Sequence, residues 1–359
     1  GYKVVIYTTK SYNLRPANLS DYEIVNGMEV RRLNYIPFPY KLFYFSPPLF
    51  CLLSKSRLDI LIVYSTVPSF FNILAMLIAK VRGIPLILYP QYNPRRIEGL
   101  SWLKRFVGLL YDRGVLPRLL RLADYVIACS RRERSLYRSW LGLRRVKVIY
   151  GGTEEPQVNK SLIRVFKSRY RLGDARVILA VGRITKYKGF DFLIEALAPI
   201  LRGRQVKLMI VGPDGGFRDD CIKLAKEAGC EDNVIFTGPL SKEDLSLAYA
   251  TADMVVVSSC FEGYGRVVIE AWSHGKPVIV TRQVAASELV ERGGGLIVNH
   301  GNKVELLQAV LKLLNDERLR KEMGRQGLSL FKRELTWENV VEKLNEVILK
   351  ALASKRYKH

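Results

Sequence analysis

Short apolar runs alternate with longer amphipathic stretches along almost the whole chain. Apolar runs between turn-forming residues are typical of buried strands, whereas apolar residues that recur every three or four positions are typical of helices. This pattern predicts strands at residues 3–9, 28–33, 59–64, 86–89, 124–130, 146–152, 177–183, 207–212, 234–238, 254–258 and 278–281. It predicts helices at residues 69–82, 102–122, 131–141, 189–201, 219–228, 242–249, 266–274, 303–314, 317–331 and 337–353.

The alternation of strands and helices occurs in both halves of the chain. It predicts an α/β fold with two Rossmann-like domains, each a doubly wound parallel sheet, facing a cleft. A length of 359 residues agrees with two domains. Gly151, Gly152 and the polar residues up to Lys160 are typical of a hinge. We therefore expect an N-terminal domain at residues 1–151 and a C-terminal domain at residues 152–339.

Three segments refine the picture of the first domain. Residues 2–9 resemble an interior strand, so we expect this domain to lack its first strand and helix. We expect the final helix, at about residues 340–359, to pack back on it. Residues 35–53 are rich in aromatics and Pro and have basic neighbours such as Lys41 and Lys55. That mixture suits a segment resting on a membrane, and packing of the aromatics against the core is the alternative.

Composition limits the available chemistry. The chain holds three His and five Cys, and the Cys residues show no CxxC pair or other metal-ligand spacing. We expect reduced thiols in a cytoplasmic setting and no metal or other cofactor. Carboxylates and basic side chains must then carry any reaction. The best candidate for a membrane-spanning helix, residues 70–88, is interrupted by Lys80, Arg82 and Pro85.

The positive charge is concentrated in the first half. The formal net charge is +23, and residues 1–150 contain 24 Lys and Arg against 8 Asp and Glu. Such an excess favours an acidic partner: anionic lipid headgroups, a phosphorylated substrate or nucleic acid. A solvated basic surface without a partner is the alternative.

Residues 260–277 contain the feature around which the predicted chemistry is organised. An apolar strand ends before them, Gly263 and Gly265 allow close approach of the backbone to a ligand, and a short helix follows. The free N–H groups and the dipole at a helix start bind anions. Glu262 in the loop and Glu270 on the helix bracket this anion site. The combination suits a sugar nucleotide, and a plain strand–helix connection with two solvated carboxylates is the alternative.

A second cluster lies at residues 181–189. Gly182 and Arg183 close a strand, and Lys188 and Gly189 open the next helix. A guanidinium and an ammonium at such a position would neutralise a diphosphate. A basic loop in a basic protein is the alternative, but the two clusters together are less expected by chance.

Together, the two clusters resemble the retaining GT-B glycosyltransferases of family 4, also called glycosyl transferases group 1. That family carries a Gly-Arg…Lys-Gly loop and a Glu-x7-Glu motif. The likeness covers nearly the whole chain, because further motifs of the family begin in the expected order at Val211, Val234, Ala252, Gly275 and Trp337. The resemblance implies the GT-B fold and transfer of a sugar from a UDP- or GDP-sugar to an acceptor, with retention of configuration and without a metal.

The resemblance also implies roles for individual residues. Arg183 and Lys188 would hold the donor diphosphate and stabilise the leaving group, and Glu262 would contact the donor sugar, so these three are the predicted catalytic residues. Glu270 would bind the ribose hydroxyls. The remaining predicted donor-binding positions are Gly182, Gly238, Leu240, Gly263, Tyr264, Gly265, Arg266 and Val267.

The predicted acceptor side departs from the family. A His commonly follows the strand that matches residues 86–89, and this chain has Gln91 there, followed by Tyr92. Gln donates and accepts hydrogen bonds but is not a base near neutral pH. Either the reaction takes no base from this position, as when the donor phosphate receives the acceptor's proton, or the protein is impaired or was altered.

The partners follow from the charge and the resemblance. The basic, aromatic first domain favours a lipid-linked or membrane-proximal acceptor at the cytoplasmic face, with a soluble small acceptor as the alternative. Two other functions are open: a sugar-nucleotide epimerase on the same scaffold, and a non-catalytic nucleic-acid-binding protein suggested by the Arg-rich residues 131–138. No nucleic-acid module with stacking aromatics is evident, so no specific nucleic acid is expected.

Overall fold

The chain folds into two compact units, which are described separately. Unit 1 comprises Gly1–Ala128, Glu133–Val148 and Asn345–His359, and unit 2 comprises Cys129–Arg132 and Ile149–Leu344. The structure is a computed structural model. It describes residues 2–9, 11–12, 15–16, 19–34, 36–37, 44–46, 49, 52–53, 55–64, 70–90, 102–141, 145–203 and 205–356.

Unit 1 contains short strands arranged in small sheets. They are β1 (Val5–Thr9), β2 (Ser11–Tyr12), β3 (Arg15–Pro16), β4 (Tyr22–Val25), β5 (Met28–Leu33), β6 (Ile36–Pro37), β7 (Tyr44–Phe45), β8 (Leu61–Tyr64), β9 (Leu86–Tyr89), β10 (Tyr125–Ala128) and β11 (Val146–Val148). Among the described pairings, β11, β10, β9 and β8 form a parallel sheet, and β1, β5 and β4 form a mixed one. The described part of unit 1 therefore has two main sheets where the sequence pattern predicts one.

The antiparallel pair of β4 and β5 has a local cause that the sequence analysis missed. Val25 faces Met28, and Asn26 and Gly27 between them have φ of 50° and 78°. An Asn-Gly pair with both residues at positive φ is the preferred two-residue hairpin turn, because its twist matches that of the strands. The dipeptide was visible in the sequence.

Between β8 and β11, the structure describes four α-helices, which lie wholly or mainly in unit 1. They are α1 (Phe70–Val81), α2 (Trp102–Leu110), α3 (Leu116–Leu122) and α4 (Arg131–Leu141), with a π-helical turn, Tyr111–Val115, joining α2 to α3. Buried apolar side chains of α1, α3 and β8–β11 form one core cluster. Leu49 and Leu53 are buried against α1, which assigns these two residues of the aromatic segment to the core. The aromatic side chains of that segment lie outside the described residues.

Unit 2 holds the longer elements. Its strands are β12 (Arg176–Val181), β13 (Val206–Val211), β14 (Val234–Gly238), β15 (Met254–Val257), β16 (Val278–Thr281) and β17 (Gly295–Val298). Its helices are α5 (Ile163–Arg169), α6 (Phe190–Leu201), α7 (Arg218–Glu227), α8 (Lys242–Thr251), α9 (Arg266–Ser273), α10 (Ser287–Val290), α11 (Lys303–Asn315) and α12 (Glu317–Glu334). The last helix, α13 (Trp337–Arg356), begins in unit 2, and its residues from Asn345 belong to unit 1.

The six strands of unit 2 form one parallel sheet in the order β14-β13-β12-β15-β16-β17. Its side chains alternate between two core clusters, so that Val177 and Leu179 face one and Ile178 and Ala180 face the other. The first cluster lies under α5, α8, α9 and α12, and the second under α6, α7 and α11. Burial on both faces explains why these strands have nearly continuous apolar sequences.

The α/β fold class and nearly all predicted elements are confirmed, usually within two residues of their predicted ends. The elements that the sequence analysis missed are short: α5 has seven residues, β4, α10 and β17 have four each, and β2, β3, β6 and β7 have two each. Periodicity needs a longer window than four residues to register. No helix in the described ranges is long and apolar enough to cross a membrane.

Candidate functional site

The candidate site lies where the strand order of unit 2 reverses. β12 pairs with β15, although β13 and β14 lie between them in the sequence. The helix after β12, α6, packs on one face of the sheet, and the helix after β15, α9, packs on the other. The chain therefore leaves the two strands towards opposite faces of the sheet, and the crevice at such a point is where open α/β sheets bind ligands.

The two loops are fastened to each other through the backbone. The Ser258 hydroxyl donates to the Lys188 carbonyl at 3.0 Å, and the Cys260 N–H donates to the Tyr187 carbonyl at 2.8 Å. Gly189 has φ of 66°, and a Cβ on it would lie 2.4 Å from the carbonyl oxygen of Ser258. Only Gly meets both conditions, so the close approach of the loops requires it.

This packing brings together Lys188 and Glu262, which are 74 positions apart. Lys188 Nζ lies 2.7 Å from Glu262 Oε1, and only 14% and 12% of the two side chains are exposed. Ser259 Oγ donates to the same carboxylate oxygen at 2.6 Å. A Cβ on Gly182 would lie 3.2 Å from Lys188 Cε, so Gly182 leaves room for the lysine stem. Glu262 therefore neutralises the ammonium in this structure, and its Oε2 has no hydrogen-bond partner in the described part of the chain.

Arg183 differs from Lys188 in its surroundings. It directly follows Gly182 at the end of β12 and is exposed to solvent. Its guanidinium forms no ion pair with any residue that the structure describes. The same loop thus carries one nearly buried, paired cation, Lys188, and two exposed cations, Arg183 and Lys186.

The turn between β15 and α9 rests on the segment that follows β16. Glu262 and Val284 form an isolated parallel bridge, and the Ala286 N–H donates to the Tyr264 carbonyl at 2.7 Å. Gly265 has φ of 96°, and a Cβ on it would lie 2.6 Å from Val284 Cγ1. Gly265 therefore serves as the cap residue before α9, and its backbone is held by tertiary contacts.

The first turn of α9 presents backbone donors. The N–H groups of Arg266 and Val267 precede the first intrahelical hydrogen bonds, so they have no helical acceptor. Val267 is buried in the core, so its side chain points away from solvent while its N–H stays at the helix start. Arg266 is exposed, with its guanidinium 3.4 Å from Glu270 Oε1.

Glu270 is held from inside the domain. The Tyr249 hydroxyl donates to Glu270 Oε2 at 2.8 Å, and 21% of the Glu270 side chain is exposed. Tyr249 is buried, and burial together with the neighbouring carboxylate raises its pKa well above the usual range. Tyr249 therefore stays a neutral donor, which leaves Oε1 as the outward oxygen of Glu270.

The other predicted donor-binding residues occupy the same edge of the sheet with different exposure. Gly238 ends β14 with φ of 72°, and Leu240 packs partly against the first core cluster. Gly263 is exposed. The Tyr264 hydroxyl donates to the Gly151 carbonyl at 2.5 Å, so this hydroxyl is already engaged within unit 2.

The predicted acceptor-side residues, Gln91 and Tyr92, lie outside the described residues. Their predicted role stays a prediction.

Three residues of the site were missed by the sequence analysis: Ser259, Tyr249 and His300. His300 Nδ1 lies 3.0 Å from the Ser258 carbonyl oxygen, and the His300 ring lies 4.9 Å from the ring of Phe192. His300 therefore contacts both the loop after β15 and the helix α6. A local signal could have found Ser259, because it comes just after the buried strand β15, and polar residues at such a strand end turn into the crevice. Tyr249 and His300 carry no local signal, because only packing brings them near the site.

The arrangement can neutralise a diphosphate and hold hydroxyl groups. Two cations and a helix start supply positive charge, and two carboxylates supply acceptors. Among the described residues, no three His, Cys, Asp or Glu side chains are placed to hold a metal ion. That the chain works without a metal stays a prediction.

Comparison with known proteins relates both halves of the chain to one group of enzymes. The Glycosyl transferases group 1 family model matches residues 164–329, and the Glycosyltransferase Family 4 model matches residues 1–155. The chain is 31% identical over 204 residues to an uncharacterized glycosyltransferase of Methanocaldococcus jannaschii, covering 55% of this chain and 52% of that protein. It is 28% identical over 248 residues to the GDP-mannose-dependent alpha-(1-6)-phosphatidylinositol monomannoside mannosyltransferase of Mycobacterium tuberculosis, covering 66% of this chain and 64% of that protein.

The chain thus spans between about half and two thirds of the length of these two relatives. Among solved structures, the sucrose-phosphate synthase of Thermosynechococcus elongatus superposes with a TM-score of 0.77 at 22% identity. The superposition covers 99% of this chain and 90% of that one. At 22% sequence identity, this similarity shows a shared fold.

Proposed function

Because the chain belongs to the GT-B glycosyltransferases of group 1, we propose that it transfers a sugar from a nucleoside diphosphate sugar to an acceptor, with retention of the anomeric configuration. The observation that carries this proposal is the pairing of Lys188 with Glu262 at the strand-order reversal, beside the start of α9. In this arrangement a cation, a carboxylate and backbone N–H groups without helical acceptors surround one crevice.

Lys188 is suited to contact the donor diphosphate without leaving Glu262. An ammonium has three N–H donors, and Glu262 takes one of them. The remaining donors are available to phosphate oxygens, while the unbonded Oε2 of Glu262 is available to a sugar hydroxyl. In this proposal one ion pair links the leaving group to the sugar that is transferred.

Positive charge at this place would assist bond cleavage. As the bond between the anomeric carbon and the phosphate oxygen breaks, its electron pair goes to the diphosphate. Lys188, Arg183 and the N–H groups of α9 would stabilise that charge. The acceptor oxygen would attack from the same face and give its proton to the departing phosphate oxygen. This route gives retention and takes no base from Gln91.

For the acceptor, we propose a lipid-linked or membrane-proximal molecule. The described part of α2 exposes Trp102, Phe106 and Leu110, which are spaced to share one helix face. Arg105 and Arg113 are exposed nearby and form no ion pair with a described residue. Apolar and basic side chains on one surface helix suit an anionic bilayer. The name of the mycobacterial relative specifies GDP-mannose and a phosphatidylinositol mannoside, which supports the classes of donor and acceptor.

The two alternative functions are less favoured. The relatives reported above are named as glycosyltransferases, not as epimerases or nucleic-acid-binding proteins. Incubation with a sugar nucleotide and no acceptor would distinguish transfer from epimerisation. A glycosyltransferase would slowly release free sugar, whereas an epimerase would return an isomeric sugar nucleotide.

Titration calorimetry and thermal unfolding with UDP- and GDP-sugars test the donor proposal. A donor that binds only the folded chain raises the melting temperature, by an amount that grows with the logarithm of its concentration. We expect binding by the natural chain and a loss of about tenfold or more in affinity for Lys188→Ala combined with Glu270→Ala. Slow hydrolysis of the bound donor should release the sugar with its original anomeric configuration, which NMR detects.

The matched control is Lys321→Ala combined with Glu317→Ala, which removes an exposed lysine–glutamate pair on α12. It should leave donor affinity unchanged. Equal donor affinity in the site variant and the natural chain would refute the residue assignment, and a chain that binds no UDP- or GDP-sugar would refute the donor class.

A further inference from the structure

A buried tyrosine, Tyr249, is hydrogen-bonded to Glu270. Tyr249 lies on α8 and is only 1% exposed. A buried phenol usually finds a hydrogen-bond partner, and a backbone carbonyl is the common choice. Tyr249 instead donates to Glu270 Oε2, at 2.8 Å, across from α8 to α9.

The tyrosine ring is itself held in place. The His274 ring stacks on it, with centroids 4.9 Å apart and planes inclined by 25°. His274 Nδ1 lies 2.7 Å from the Glu270 carbonyl oxygen, and because a carbonyl only accepts, Nδ1 carries the proton. His274 Nε2 lies 2.9 Å from Ser246 Oγ, back on α8. The imidazole therefore joins the two helices and fixes the plane of the phenol.

His274 keeps this arrangement as a neutral ring. Burial lowers its pKa, which favours the uncharged form. With Nδ1 protonated, neutral Nε2 accepts from the Ser246 hydroxyl. Every polar atom of the network, from Ser246 through His274 and Tyr249 to Glu270, then has a partner.

The hydrogen bond from Tyr249 determines which oxygen of Glu270 is free. Oε2 is occupied by Tyr249 on the buried side, and Oε1 lies on the side of exposed Arg266, at 3.4 Å. Without the phenol, the Glu270 side chain could adopt other rotamers, and Oε2 would need a water or another hydrogen-bond donor. A carboxylate that must accept hydrogen bonds from two adjacent hydroxyls benefits from one fixed orientation.

We propose that Tyr249 is a positioning residue that fixes the Glu270 carboxylate to receive the vicinal ribose hydroxyls of the donor nucleotide. The inference rests on the proposed function, because it takes the ligand of Glu270 to be a ribose. It adds a residue behind the site, and it identifies the sugar of the nucleotide, not its base or phosphates, as the group that Tyr249 controls.

The test compares UDP and GDP with their 2′,3′-dideoxy forms by titration calorimetry on the full chain. For whichever ribonucleotide the natural chain binds, we expect Tyr249→Phe to weaken binding about five- to twentyfold. Affinity for the matching dideoxynucleotide, which lacks both hydroxyls, should change less than about twofold. Glu270→Ala should show the same selectivity, and adding Tyr249→Phe to it should cause no further loss.

Tyr170→Phe is the matched control. Tyr170 packs partly buried against the same core cluster, and its hydroxyl has no hydrogen bond to a described residue. It should alter neither affinity. Circular dichroism and the melting temperature check folding of each variant. If Tyr249→Phe does not fold, His274→Leu keeps the phenol, removes the ring stacked on it, and should give a smaller loss confined to the ribonucleotide.

The outcomes separate the two levels of inference. Suppose that the natural chain binds the ribonucleotide. If Tyr249→Phe then weakens binding of the ribo and dideoxy forms equally, or weakens binding of neither form, the positioning role is overturned while the donor proposal stands. A natural chain that binds neither UDP nor GDP overturns the donor proposal and the ribose role of Glu270 with it.

Discussion

The pairing of Lys188 with Glu262 has both a structural and a functional side. The two side chains are nearly buried, so each charge depends on the other for compensation. The same ammonium is the cation proposed to meet the donor diphosphate. Substitutions that separate the two roles are therefore informative.

We expect Lys188→Met to lower the free energy of unfolding by about 1–3 kcal/mol, because Glu262 is left nearly buried with only Ser259 as a partner. Lys188→Met combined with Glu262→Gln should recover most of that loss, since no uncompensated charge remains. Donor affinity should stay low in both variants, because the phosphate contact is absent in each. Urea unfolding and calorimetry measure the two quantities.

Lys321→Met, which breaks an exposed pair with Glu317, should cost less than about 0.5 kcal/mol. Recovery of donor affinity together with stability in the double variant would show that Lys188 acts only within the ion pair.

At the scale of elements, the β15–α9 turn is shaped by what it packs against. Gly265 and Gly301 have similar positive φ, 96° and 90°, but only Gly265 faces close neighbours. A Cβ at Gly265 would lie 2.6 Å from Val284 Cγ1 and 3.1 Å from Ala286 Cβ, whereas none lies within 4 Å at Gly301. Comparing substitutions at Gly301 and Gly265 therefore separates the cost of backbone strain from the cost of a steric clash.

We expect Gly301→Ala to cost about 1 kcal/mol, the strain of a left-handed conformation. Gly265→Ala should cost at least about 1 kcal/mol more, because the turn must move away from Val284. It should also weaken donor binding, since the start of α9 moves with the turn. Equal stability of the two variants in urea unfolding would contradict this reading of the turn.

A second contact between elements predicts a pH dependence. Arg292, after α10, donates to Glu334 at the end of α12 at 2.8 and 2.5 Å, and with Arg333 it holds the pKa of the Glu334 carboxyl at about 2, against 4.5 normally. Because the folded pKa is depressed, the stabilisation is full above pH 4.5 and is lost as the pH falls towards 2.

We therefore expect Glu334→Gln to be less stable than the natural chain by about 1–2 kcal/mol near neutral pH, with allowance for partial exposure. The difference should shrink below pH 4.5 and vanish near pH 2, as followed by urea unfolding across pH. Glu291→Gln, which removes an exposed carboxylate 3.9 Å from Arg282, should show no such convergence.

At the scale of the whole molecule, the net charge of +23 favours anionic surfaces, with most of the excess in the first 150 residues. Each basic residue near an anionic bilayer contributes roughly 1 kcal/mol, so a few exposed arginines on α2 and α3 suffice for reversible binding. The exposed Phe106 adds an apolar contact on the same helix.

We expect the chain to sediment with phosphatidylserine-containing vesicles, to release them as salt rises, and to ignore neutral phosphatidylcholine vesicles. Phe106→Glu should reduce binding at least about threefold, because it removes apolar area and adds a repelled charge. Val304→Glu, at an exposed apolar position on α11 of unit 2, is the control and should have a smaller effect. Equal capture by neutral and anionic vesicles would contradict the electrostatic part.

The amino-acid sequence by itself determined the elements and much of the candidate chemistry. Apolar periodicity and turn residues are local properties, so the strands from β12 to β16 and the helices α6 to α9 were predicted close to their observed ends. The placement of cations and carboxylates at strand ends was also readable, because a strand end is defined by its own neighbours. The glycines at positions 189 and 265 were expected there for the same reason.

Only the tertiary structure decided which of these groups meet. β12 lies beside β15 across two intervening strands, and that order alone brings Lys188 to Glu262. The hydrogen bond from Tyr249 to Glu270 likewise joins two helices that no sequence motif relates. Such contacts depend on strand order and on packing between distant segments, and periodicity within one segment carries no information about either.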